Sequence, residues 1–187
     1  ILSLAGAVGL GYGLFLLDSQ GFYLVGLMPL VGGAIVGFLA RWPIPLYWTR
    51  SAPIILNAII AALVMMGVYW YLQFESYNST IVAAIQEQDS SVTREEALKI
   101  IDEVQMETYQ TTGFTAFVMD YAEIGFSIGR VGSSEGSQLE IQGNLAYGFW
   151  IFEIVVAVGM AAFSARNRNK LPPPPKPVET SGIQDIV

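Results

Sequence analysis

Four stretches of almost unbroken apolar residues, 1–17, 22–40, 54–74 and 145–165, punctuate this chain. Each reaches or approaches the roughly 17 to 25 residues that a helix needs to cross a bilayer, which predicts four transmembrane helices. Only DSQG separates the first two, so they are expected to form a tight hairpin. Between the third and fourth stretches the pattern changes. Residues 79–88 read as a helical continuation of the third span. Thr93 followed by Glu96 is a capping box that predicts a helix to about Gln110, with Ala97, Ile100, Ile101 and Val104 along one stripe and Gly113 as its stop. Phe117, Val118, Tyr121 and Ile124 repeat the helical period over 114–124. After Gly125 the period becomes two, in FSIGRV and QLEIQG, around the turn-rich GSSEGS, which predicts a β-hairpin. The predicted fold is an all-α polytopic membrane protein with a small α+β cap, 75–144, between its third and fourth spans. A segment this small is expected to rest on the ends of the helices.

Composition agrees with that pattern. Of 187 residues, 53% are hydrophobic and only 13% are charged, outside the range of ordinary soluble domains. The chain has no cysteine and no histidine, which excludes disulfides, thiolate or imidazole metal sites and His-dependent nucleophilic catalysis. There is no P-loop, GxGxxG or GxSxG motif, so no catalytic residues and no cofactor are expected. The carboxylates Glu87, Asp89, Glu95, Glu96, Asp102, Glu103 and Glu107 lack the spacing of a calcium loop and read as a solvated surface rather than a metal site.

Charge sets the expected orientation. Arg41, Arg50, Arg166, Arg168, Lys170 and Lys176 flank the spans on one side, and 75–144 carries a net −9, with twelve acidic and three basic residues, on the other. The positive-inside rule then places both termini in the cytoplasm and 75–144 outside. No nucleic-acid partner is expected: the positive charges flank the spans, where they set topology, and the chain carries a net charge of −7. Trp42, Trp48, Tyr69, Trp70, Tyr71, Tyr147 and Trp150 fall near span ends, as an interfacial aromatic belt would. Residues 166–187 include four consecutive prolines and read as a disordered cytoplasmic tail.

Within the spans, Ala5, Gly9 and Gly13 recur every four residues, as do Gly33 and Gly37, the spacing that lets two backbones pack closely in lipid. The first hairpin is expected to close through these glycines. Two polar side chains lie well inside a span. Asn57 reads as hydrogen-bonded glue between helices. Glu153 lies roughly 12 Å below the outer surface, where a bare carboxylate is costly and needs a partner or protonation. Tyr12, Tyr69, Tyr71 and Arg130 are the expected partners.

The run ETYQTTGFTAFVMDYAEIGFSIGR followed by GFWIFEIVVAVG resembles a pattern in uncharacterised bacterial four-helix membrane proteins, at Thr112, Gly113, Phe114, Arg130, Trp150 and Glu153. That resemblance implies a bacterial inner-membrane protein and no particular activity; the Cys-rich ends of some such proteins are absent here. The expected function is a non-catalytic accessory or assembly subunit of a larger membrane complex, with lipid and other membrane subunits as partners. The alternative is a small oligomeric channel or transporter using Glu153.

Overall fold

A computed structural model describes residues 2–21, 26–42, 52–128 and 139–166. The elements are α1 (Leu2–Ser19), α2 (Leu27–Arg41), α3 (Ala52–Gln88), α4 (Arg94–Tyr109), α5 (Phe114–Ile124), β1 (Phe126–Ile128), β2 (Leu139–Ile141) and α6 (Asn144–Ala165). Three of them, α1, α3 and α6, are long and apolar enough to cross a membrane. The second apolar stretch, 22–40, gives a shorter helix. At 15 residues, α2 rises only about 22 Å, less than the ~30 Å of a hydrocarbon core. Residues 22–25 of that stretch, 43–51, 129–138 with the expected turn, and the expected disordered tail from 167 lie outside the described residues.

Helix α3 is the axis of the molecule, because α1, α2 and α6 all pack on it. It runs unbroken for 37 residues, about 55 Å, so its second half stands beyond any single bilayer crossing. Ala58, Ala61, Ala62 and Met65 are fully buried along its first half, and the three small alanines let neighbouring helices approach it closely.

The expected pairing of α1 with α2 through Gly9 and Gly13 is corrected. No heavy atom would meet a Cβ at either position within 4 Å. Helix α1 instead buries Ser3, Ala7, Gly11 and Leu14, and packs chiefly on α3. A Cβ on Gly11 would strike the Met65 carbonyl at 2.5 Å. The two small-residue rows on α1 differ by two positions, about 200° of rotation, so turning one row to α3 turns the other away. Gly33 and Gly37 do mediate a close approach, but to α6, against the backbone carbonyls of Ala157 and Ala161. Those alanines, with Ala165, form a matching row.

Outside the bundle, α4 begins as predicted. Thr93 and Glu96 complete a reciprocal capping box, with Thr93 N donating to Glu96 Oε2 at 2.9 Å and Glu96 N to Thr93 Oγ1 at 3.3 Å. Its end differs from expectation. Gln110, at φ 57°, is the left-handed cap, and Gly113 is instead the cap that opens α5. Of the predicted stripe, Ala97 and Ile101 are buried against Val82 of α3, whereas Ile100 and Val104 are exposed. Strands β1 and β2 pair antiparallel, with Phe126 opposite Ile141 and Ile128 opposite Leu139.

An aromatic cluster joins these outer elements to the bundle. Phe117 of α5 is fully buried and lies 5.2 to 6.2 Å, ring centre to ring centre, from Trp70, Phe74, Tyr77, Phe114 and Tyr121. Trp70 also meets Trp150 of α6 edge to face at 4.9 Å. Tyr69, Trp70 and Trp150 thus turn inward, which corrects their assignment to an outward-facing belt; Trp42 and Tyr71 remain exposed, at 67% and 56%.

Candidate functional site

Polar side chains gather where α1 ends, α2 begins and α6 passes beside them. Asp18, in the last turn of α1, accepts a hydrogen bond from Tyr69 Oη at 2.9 Å and another from Gln73 Nε2, both on α3. Tyr69 and Gln73 are four residues apart, so one face of α3 presents both donors to one carboxylate.

Glu153 is the most deeply placed carboxylate, 2% exposed on α6. Its Oε1 accepts the backbone N–H of Gly26 at 3.3 Å. Gly26 stands at φ 72°, ψ −33°, a conformation that favours glycine, and it is the N-cap of α2. The first N–H groups of a helix have no partner within it and carry the positive end of its dipole, so a carboxylate there meets an unused donor and a favourable field. Tyr69 donates to Asp18, Tyr12 and Tyr71 are exposed, and Arg130 lies outside the described residues. The backbone amide of Gly26 was not among the partners expected from sequence. The one signal available was Gly26 just ahead of an apolar run.

Asn57 behaves as expected, its Nδ2 donating to Ser3 Oγ at 2.9 Å across the α3–α1 interface. Ser3 is 2% exposed and was not singled out from sequence.

A second constellation lies beyond the bundle. Asp120 of α5 accepts Tyr77 Oη of α3 on Oδ2 at 2.5 Å and Tyr109 Oη of α4 on Oδ1 at 2.8 Å. One carboxylate therefore ties three helices together. Burial, and then the hydrogen bond to Asp120, push both phenols well above the ordinary tyrosine pKa, so they stay protonated donors throughout the physiological range. Neighbouring Gln105, 5% exposed on α4, accepts the Gly113 N–H on Oε1 at 3.0 Å, which fixes the start of α5.

None of these groups forms a nucleophile–base pair of the kind acyl or phosphoryl transfer uses. Among the described residues, no group of three or more Asp, Glu, His or Cys is placed to hold a metal ion. Comparison with protein-family models, curated proteins and solved structures finds no match to the chain.

Proposed function

We propose that this chain is a non-catalytic integral membrane protein of the bacterial inner membrane that serves as an accessory or assembly subunit of a larger membrane complex. In this reading α2 is a fourth crossing, 75–144 is an extracytoplasmic cap and both termini face the cytoplasm. The cap includes the paired strands. One observation carries the proposal. The polar side chains Ser3, Asn57, Asp18 and Glu153 are engaged in hydrogen bonds between helices, while the Ala5–Gly9–Gly13 row of α1 is left without a neighbour at Gly9 and Gly13. A smooth small-residue row is the surface on which a helix from another chain can approach closely in lipid.

The test is purification of the full chain from its native membrane in mild detergent, with identification of what accompanies it. Stoichiometric foreign membrane subunits are expected, and Gly9→Leu with Gly13→Leu should release them without unfolding the chain. A homo-oligomer whose ion flux is abolished by Glu153→Gln would replace this reading with that of a channel.

A further inference from the structure

The outer half of α3 and α4 form a helical hairpin, joined by residues 89–93 and packed through Val82 against Ala97 and Ile101. Along one side of that seam runs a groove of about 210 Å³, walled by Ile81 and Ile85 of α3 and by Ile100 and Val104 of α4. Four positions separate the members of each pair, so each helix contributes an aliphatic ridge, and Ile100 and Val104 are exposed. Two ridges with a valley between them are the relief into which a third helix packs. One end of the groove is polar, lined by Tyr77, Thr108, Tyr109 and Asp120. The Thr108 hydroxyl can donate or accept and both phenols donate to Asp120, so the charge at this end is that of the carboxylate.

The medium at this face is water rather than lipid tails. A crossing that begins at Ile54 passes through the ~30 Å hydrocarbon core in about 20 residues, near Phe74, and Ile81 stands about 10 Å further along α3. Exposed aliphatic ridges in water favour a partner that covers them. Charge selects which partner. Glu103 and Glu107 are exposed and lie within three or four positions of Ile100 and Val104 on the same helix, Asp120 closes the polar end, and residues 75–144 carry a net −9. A second copy of the chain would bring the same acidic edge, and an anionic lipid surface the same sign. A partner rich in Lys and Arg brings the opposite one.

We propose that the α3–α4 groove docks a basic amphipathic helix of another polypeptide, its apolar face between the Ile81–Ile85 and Ile100–Val104 ridges and its Lys or Arg side chains against Glu103, Glu107 and Asp120. This rests on the accessory-subunit reading, which supplies the foreign chain, but the surface is separate from the Gly9–Gly13 row of α1.

Two synthetic helical peptides test it, alike in their Leu positions and carrying either Lys or Glu at the others. Each is titrated into the full chain in dodecyl maltoside, and binding is read from the methyl NMR shifts of Ile81 and Ile85, which partition of peptide into empty micelles does not move. The Lys peptide is expected to saturate and to bind at least about tenfold tighter than the Glu peptide, with an affinity that falls as salt rises. Ile100→Ser with Val104→Ser removes one ridge at two exposed positions and should weaken binding about tenfold. Glu103→Gln with Glu107→Gln should weaken it about threefold and flatten the salt dependence. Equal binding of the two peptides, no saturation in the wild-type chain, or unchanged affinity in the ridge variant would overturn the proposal. So would a homodimer in sedimentation that Ile100→Ser with Val104→Ser dissolves, since the groove would then belong to a second copy. Docking of the Lys peptide by a chain that co-purifies with no foreign subunit keeps the groove and removes the accessory reading; foreign subunits released by the Gly9 and Gly13 changes, with no peptide docking, do the opposite.

Discussion

The bundle and the elements outside it are held together by different means. In the bundle, α2 meets α6 through Gly33 and Gly37 set against Ala157 and Ala161, and α1 meets α3 at Gly11; large side chains are few at these contacts. Outside, the reverse holds. Phe117, Trp70, Phe74 and Tyr121 fill the junction, and a capping box, Asp120 with its two phenols, and the Gln105–Gly113 bond fix the helix ends. The difference matches what lipid and water each favour. Lipid gives no reward for burying hydrocarbon, so association there depends on close van der Waals approach; water rewards buried aromatic area and competes for every unsatisfied helix end.

Substitutions can break this contrast. The largest effect is expected at Phe117, where truncation to Ala should cost about 3–5 kcal/mol in a thermal or denaturant unfolding experiment in mild detergent. If the two parts are separately built, that loss will detach α5 and α4 while the bundle's helical signal persists. Next is Gly33→Leu, which drives a side chain into the Ala157 backbone and should cost about 1–3 kcal/mol. The same change at Gly9 should stay within about 0.5 kcal/mol, because nothing lies near it. Equal losses at the two glycines would mean that α1 presents the other face to its neighbours. A smaller effect, about 1 kcal/mol, is expected for Thr93→Ala, read as faster hydrogen exchange in the first turn of α4.

The smallest effect is a pH dependence. Hydrogen bonds from the Thr93 backbone and side chain hold Glu96 below the ordinary value of 4.5 for its side chain. A folded pKa below the unfolded one means that its contribution is complete above about pH 4.5 and is lost as pH falls through the lower, folded value. Hydrogen exchange at the first turn of α4 should therefore accelerate only below that point, and Glu96→Gln should remove the dependence.

Much of this architecture was legible along the chain. Continuous apolar runs placed α1, α3 and α6, the Thr93–Glu96 signature placed the start of α4 to the residue, and alternation placed both strands. These are local properties, set by the period and capping chemistry of each segment. Gly113 was misread as a stop because a glycine two or three residues past a helix can equally open the next one, and Gln110 took the left-handed cap instead.

The candidate sites were legible only in part. Glu153 announced itself, since a carboxylate in an apolar run must be partnered, and Asn57 likewise. Asp18, Asp120 and Gln105 did not, because a polar residue near a span end or on an amphipathic helix is ordinary until its neighbours are known.

What the residues determined by themselves is which segments are helical, which surfaces are apolar and where charge accumulates. What only the tertiary structure decided is which face meets which. Helix α1 carries two rows of small residues, Ser3–Ala7–Gly11 and Ala5–Gly9–Gly13, each compatible with close packing. Rotation of a helix about its axis costs nothing in local geometry, so the choice between the rows belongs to the partners: the Asn57–Ser3 bond and the Met65 carbonyl beside Gly11 turn one row inward and leave the other facing out.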